Sequence, residues 1–89
     1  MSKSVMFAPE AWGQYQYWQL NEKKTLAKVN RLISEIDRMG HEGTGKPEPL
    51  VGDLSGYWSR RISERDRLIY SFDENTIYIL SCRFHYGMR

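Results

Sequence analysis

Residues 57–84 read YWSRRISERDRLIYSFDENTIYILSCRF, from Tyr57 to Phe84, and this stretch decides the fold. Aromatic and β-branched residues crowd 57–62, 66–72 and 76–84, and the breaks between these runs, Ser63-Glu64-Arg65 and Asp73-Glu74-Asn75, have hairpin length. The spacing predicts three strands in an antiparallel meander. Upstream, Ser4-Val5-Met6-Phe7 is a short apolar run ended by Pro9 and reads as an edge or terminal strand. From Glu10 to about Gln19, Ala11, Trp12, Tyr15 and Trp18 recur at helical spacing, with Pro9 suited to the first turn. Asn21 then offers an N-cap for a second helix to about Met39, whose apolar stripe is Leu26, Val29, Leu32, Ile33 and Ile36, and Gly40 stops it. The order β-α-α-β-β-β predicts one α+β domain over residues 1–89, two N-terminal helices packed on one face of a mostly antiparallel sheet.

Composition narrows the function classes. The chain has 89 residues, enough for one domain that buries roughly two-thirds of its unfolded surface. Cys82 is the only cysteine, which excludes an internal disulfide and fits a reducing compartment. No apolar run has the length of a signal sequence or a membrane span, so a cytoplasmic location without membrane contact is expected. Net charge is only +2, with six Lys/Arg against four Asp/Glu in residues 1–40 and seven against seven in residues 41–89. Bulk charge therefore does not argue for nucleic acid, and any RNA affinity must come from local placement of arginines. Lys23, Lys24, Lys28, Arg31, Glu35 and Arg38 form the polar face of the second helix, either solvated or set against a large polyanion.

Residues 40–56 read as loop, punctuated by five glycines and by Pro47-Glu48-Pro49. Proline fixes its own φ and pushes the residue before it toward extended backbone, so Glu48 is a carboxylate on a stiffened segment. Strand parity then sorts the arginines. If Leu68, Tyr70 and Phe72 pack on the helices together with Tyr78, Leu80, Cys82 and Phe84, then Arg61, Arg67, Arg83 and His85 project from the open face. Arg60 falls on the helix side, an awkward place for a cation, and is expected at the sheet margin. A β-bulge would reset this parity beyond it. Cross-strand pairing with Glu64, Asp66 or Asp73 is the plainer role for any single arginine.

An acid, arginines and a late histidine are the parts of a metal-free phosphoryl-transfer site. Cleaving RNA through its own 2′-hydroxyl needs a base for that hydroxyl, an acid for the leaving 5′-oxygen and cations for the charge on the phosphorane oxygens. Glu48 suits the base and His85 the acid, since imidazole titrates near neutrality. Arg67 and Arg61 offer planar forks to phosphate. His41 and His85 lie far apart without carboxylates at ligand spacing, so no metal site is expected.

The chain resembles the YoeB branch of the RelE-type toxins, small bacterial ribosome-dependent mRNA endonucleases of toxin–antitoxin pairs. The segments that carry the resemblance are Trp12 with Tyr15, Tyr17-Trp18-Gln19, Glu42-Gly43, Gly45-Lys46-Pro47-Glu48-Pro49-Leu50, Leu54-Ser55-Gly56-Tyr57-Trp58-Ser59-Arg60-Arg61-Ile62, Arg67-Leu68, Tyr70 and Cys82-Arg83-Phe84-His85-Tyr86. The resemblance implies a microbial-ribonuclease-like (RelE-like) fold and cleavage of mRNA in the ribosomal A site. It places the general base on Glu48, the general acid on His85 and the phosphate-stabilising arginine on Arg67. It also places supporting basic positions on Lys46 and Arg61 and the substrate-holding tyrosine on Tyr86, with Arg83 beside them in the same block. No cofactor is implied. The expected partners are the ribosome with its A-site mRNA, a cognate antitoxin that covers the site, and a second copy in a homodimer. The family pattern stops at or near His-Tyr, whereas Gly87-Met88-Arg89 follow here. From a different class, a non-catalytic RNA- or ribosome-binding module would use the same basic surfaces.

Overall fold

The structure is a computed structural model that describes residues 2–85. In chain order it contains β1 (Ser4–Phe7), α1 (Pro9–Asn21), α2 (Lys23–Met39), β2 (Glu48–Pro49), a 3-10 turn (Gly52–Leu54), β3 (Trp58–Arg61), β4 (Arg67–Phe72) and β5 (Thr76–Ser81). The strands make one sheet in the order β1-β5-β4-β3-β2. β1 runs parallel to β5, and the other pairs are antiparallel. The α+β architecture is the one the element order predicts, with one strand added. β2 is two residues cut from the segment that reads as loop. Pro49 has no N–H to donate, and an edge strand is where a sheet tolerates that.

The core lies between the helices and one face of the sheet. Val29, Leu32, Ile33 and Ile36 of α2 and Ala11 and Trp18 of α1 pack there with Leu68, Tyr70, Ile77, Ile79 and Cys82. Each large aliphatic side chain buried this way contributes roughly 1.5–3 kcal/mol. Three details of the helices depart from the sequence pattern. Trp12 is 47 % exposed and lies at the rim, stacked on Tyr15 and edge-on to Phe7, while Gln14 takes the buried position. Asn21 is the last residue of α1, its Nδ2 donating to Tyr17 O, and Glu22 takes the N-cap position before α2. Glu35, placed by the pattern on the polar face, is buried. Gly40, at φ 65°, ends α2 as expected.

The alternation in β5 is inverted relative to its sequence reading. Ile77 and Ile79 are the core residues, while Tyr78 and Leu80 are half-buried on the other face. Tyr70 pairs with Ile79 but Ile69 pairs with Ser81, so Leu80 is the extra residue of a bulge. Past the bulge the alternation resets, and Cys82 returns to the core. The run Ile77-Tyr78-Ile79-Leu80 is apolar on both faces, which is why alternation alone does not choose between them. Asp73 closes the β4–β5 turn by accepting the N–H groups of Asn75 and Thr76 on Oδ1 and the Tyr78 hydroxyl on Oδ2.

Candidate active site

Cross-strand partners share a face, so the register settles which side chains meet. Glu48 stands opposite Ser59, Ser59 opposite Ile69, and Arg61 opposite Arg67. Ser59 and Arg61 are two apart and face the same way, so Glu48, Ser59, Arg61 and Arg67 all belong to the face turned away from the helices. The alternate residues Trp58, Arg60, Leu68 and Tyr70 turn toward the helices. Standard strand spacing and rise put the backbones of Glu48 and Arg67 about 12 Å apart, two strands across and two residues along. That separation leaves room for one nucleotide linkage between a carboxylate and a guanidinium reaching from either side.

Arg67 is buried at the start of β4. Its Nη1 donates to the carbonyls of Ser63, Glu64 and Asp66 at 2.8, 3.2 and 3.1 Å, curling the β3–β4 turn around it. The backbone N–H of Arg67 donates to Phe84 O at 3.0 Å, and Phe84 N–H donates to Asp66 Oδ1 at 2.7 Å. Phe84 is thereby held at φ 68°, a left-handed conformation that costs a non-glycine residue stability. His85 follows directly and lines a cleft of about 350 Å³ with Tyr17, Trp18, Glu22, Arg65, Asp66 and Arg83.

Arg83 does not join the open face. Its guanidinium carbon lies 3.5 Å from the Tyr17 ring centroid and 4.6 Å from that of Phe84, a cation–π stack against α1. β5 ends at Ser81, and with Phe84 at φ 68° the chain beyond it no longer follows strand alternation. Lys46 is exposed at φ 52°, two residues before Glu48. The structure thus gathers Glu48, Arg61 and Arg67 on one face, lays the His85 segment beside Arg67 and sets Arg83 apart. Tyr86 and the three residues after it lie outside the described residues.

The loop between α2 and β2 is fastened by Arg60, which is fully buried rather than at the sheet margin. Its Nη1 meets Glu35 Oε1 at 3.2 Å and Thr44 O at 3.1 Å. Its Nη2 donates to Gly40 O at 2.7 Å and Glu42 O at 2.6 Å, and its Nε donates to Tyr70 Oη at 3.2 Å. Thr44 N–H and Oγ1 both donate to the Glu35 carboxylate. The Thr44 amide, more than the Arg60 charge, holds the Glu35 carboxyl below the usual carboxylate range, against the opposing effect of burial. His41 lies flat on Trp58, centroids 3.7 Å apart, and burial followed by the Arg60 charge lowers its pKa. Sequence reading missed Glu35 as the partner of Arg60. The available signal was an acid flanking the apolar stripe beside Leu32 and Ile36, in a chain whose β3 turns an arginine inward.

Among the described residues, no group of three or more His, Cys, Asp and Glu could hold a metal ion, and no helix is long and apolar enough to cross a membrane.

The chain is similar to a known family and to solved structures. Residues 7–86 match the family model described as the YoeB-like toxin of bacterial type II toxin–antitoxin systems. Toxin YoeB of Escherichia coli K12 is 45 % identical over 82 residues, covering 92 % of this chain and 98 % of that protein. The YoeB dimer from Staphylococcus aureus superposes with a TM-score of 0.92 at 47 % identity, covering 97 % of this chain and all of that one. The heterotetrameric YoeB–YefM toxin–antitoxin complex from the same organism gives 0.90, with the same identity and coverage.

Proposed function

The chain belongs to the YoeB-like toxins of bacterial type II toxin–antitoxin systems, and from that premise we propose that it is a ribosome-dependent endoribonuclease that cuts mRNA in the A site. Glu48 takes the proton of the 2′-hydroxyl as that oxygen attacks phosphorus. His85 gives a proton to the leaving 5′-oxygen as the P–O5′ bond breaks. The products are a 2′,3′-cyclic phosphate and a free 5′-hydroxyl, and no metal or cofactor enters the balance. Arg67 and Arg61 carry the charge on the non-bridging oxygens. Lys46 and Tyr86 serve as further substrate contacts, and Arg83 contributes from the cleft it lines with His85 rather than from the open face.

The observation that carries this reading is the register that places Glu48, Arg61 and Arg67 on one face, with the His85 segment hydrogen-bonded to Arg67. The modest net charge supports dependence on the ribosome, which supplies the position and orientation that weak generic affinity for RNA does not. The Staphylococcus structures of a YoeB dimer and a YoeB–YefM complex support a homodimer and an antitoxin that neutralises the toxin in the cytoplasm.

The test is mapping mRNA 3′ ends on programmed ribosomes, with a cyclic phosphate expected inside the A-site codon. Glu48→Gln, Arg67→Ala and His85→Gln should each slow cleavage by about 10²- to 10⁴-fold. A Glu48→Gln protein that inhibits translation as well as the parent would indicate a binding module instead. Efficient cutting of free mRNA would count against the ribosome's role.

A further inference from the structure

A buried arginine is costly to keep, and replacing a buried ion pair by apolar residues of similar volume is often neutral or stabilising. The Arg60–Glu35 pair therefore asks for a reason beyond stability. Three of the five groups that accept from the guanidinium are backbone carbonyls of one loop, those of Gly40, Glu42 and Thr44. A planar fork fixes several acceptors in one geometry, which an apolar side chain does not. The loop is also pinned from the strand side, where Arg61 N–H donates to Gly45 O at 2.6 Å. Gly43, at φ 121°, passes so close that a Cβ there would collide with Glu35 Oε1 and lie 2.9 Å from Arg60 Nη1. Three residues after Gly45 the chain reaches Glu48, whose strand neighbour Ser59 adjoins Arg60 in sequence.

We infer that Arg60 is a positioning residue of the site: through the Gly40, Glu42 and Thr44 carbonyls and the Glu35 carboxylate it holds the loop that delivers Glu48 to the open face of the sheet. The inference rests on the proposed role of Glu48 as base. Arg60 itself faces the helices and touches no substrate. A base displaced by about 1 Å loses on the order of 10²-fold in rate, so a loop held by one guanidinium is a sensitive element.

The test is a double-mutant cycle read as single-turnover cleavage on programmed ribosomes, with folding checked by thermal melts. Arg60→Lys keeps the charge and loses the fork. It should slow cleavage by about 10²-fold in the parent and by less than about twofold in a Glu48→Gln background, with ribosome affinity unchanged in both. A role in stability alone would leave the rate of the folded variant at the parent value, and that result would overturn the inference. The same factor in both backgrounds would overturn it too, leaving the base assignment intact. Cleavage by Glu48→Gln at the parent rate would overturn the base assignment and this inference with it. Thr44→Val, at an exposed residue, removes only the hydroxyl that orients Glu35. It covers the case in which Arg60→Lys does not fold, and should show a several-fold loss with the same dependence on Glu48.

Discussion

Arg67 and Phe84 are joined backbone to backbone, the N–H of Arg67 donating to the carbonyl of Phe84 at 3.0 Å. This bond continues the β4–β5 ladder past the bulge and lays the chain that leads to His85 along the start of β4. Arg67, the proposed phosphate-binding residue, and Phe84, the residue before the proposed acid, are thus one mechanical unit, closed on its other side by Asp66.

Asp66→Ala should loosen that unit. Its carboxylate accepts from Phe84 N–H and from the Ser63 hydroxyl, and hydrogen bonds to a charged group are each worth about 1.5–3 kcal/mol. Denaturant melts should show a loss of about 1–3 kcal/mol, and cleavage should fall at least tenfold because His85 is no longer held beside Arg67. A melt shift with cleavage at the parent rate would show that the segment keeps its place without Asp66.

Glu35→Ala leaves the Arg60 guanidinium buried without its counter-ion. Breaking one side of such a pair costs about 3–5 kcal/mol, a large share of the roughly 4–13 kcal/mol expected for a domain of this size. The carboxyl is held below its ordinary value of 4.5. Its contribution is therefore complete above that pH and lost as pH falls through the lower folded value. Urea midpoints of parent and variant should differ at pH 7 and converge as pH falls through the lowered folded value of the carboxyl. A constant gap across that range would deny the ionised pair its part.

His41 gives the opposite-charge case. Its folded pKa is lowered from 6.5 by burial first and by Arg60 second, so folding favours the neutral ring. The stabilisation is present above pH 6.5 and declines as pH drops toward the folded value. His41→Phe keeps a flat ring for Trp58 and removes the titration. Between pH 7.5 and 5.5 the parent should lose more stability than the variant, as read from urea midpoints; equal losses would remove His41 as the source.

Burial, and secondarily the Asp66 charge, push the Cys82 thiol up to about 12. With its side chain in the core, it should resist alkylation in the native state. The labelling rate should follow global unfolding across a denaturant series. Rapid labelling in buffer would mean that the chain around Cys82 opens locally.

Local patterns made most of the fold legible. The apolar stripe of α2, Gly40 at its end and the hairpin-length breaks at 63–65 and 73–75 are decided by residues within a few positions of each other, and the structure follows them. Glu48 was legible as a candidate because two prolines restrict it, and Arg67 because parity with Leu68 and Tyr70 leaves it one face. The two-residue β2 was not legible, since pairing Glu48 with Ser59 is a contact across ten residues of chain without a strong strand pattern. Nor was the face of Tyr78 and Leu80, because Ile77 to Leu80 is apolar on both sides.

By itself the sequence determined the order of elements, the family and which side chains carry the proposed chemistry, because propensity, spacing and motif are properties of neighbouring residues. Tertiary structure alone decided that Arg60 goes inside with Glu35, that a bulge at Leu80 returns Cys82 to the core while Arg83 stacks on Tyr17, and that Phe84 is tied to Arg67. Each of these depends on partners distant in sequence. A buried charge settles where a counter-ion and carbonyls converge, and a bulge settles where two strands fail to match in length.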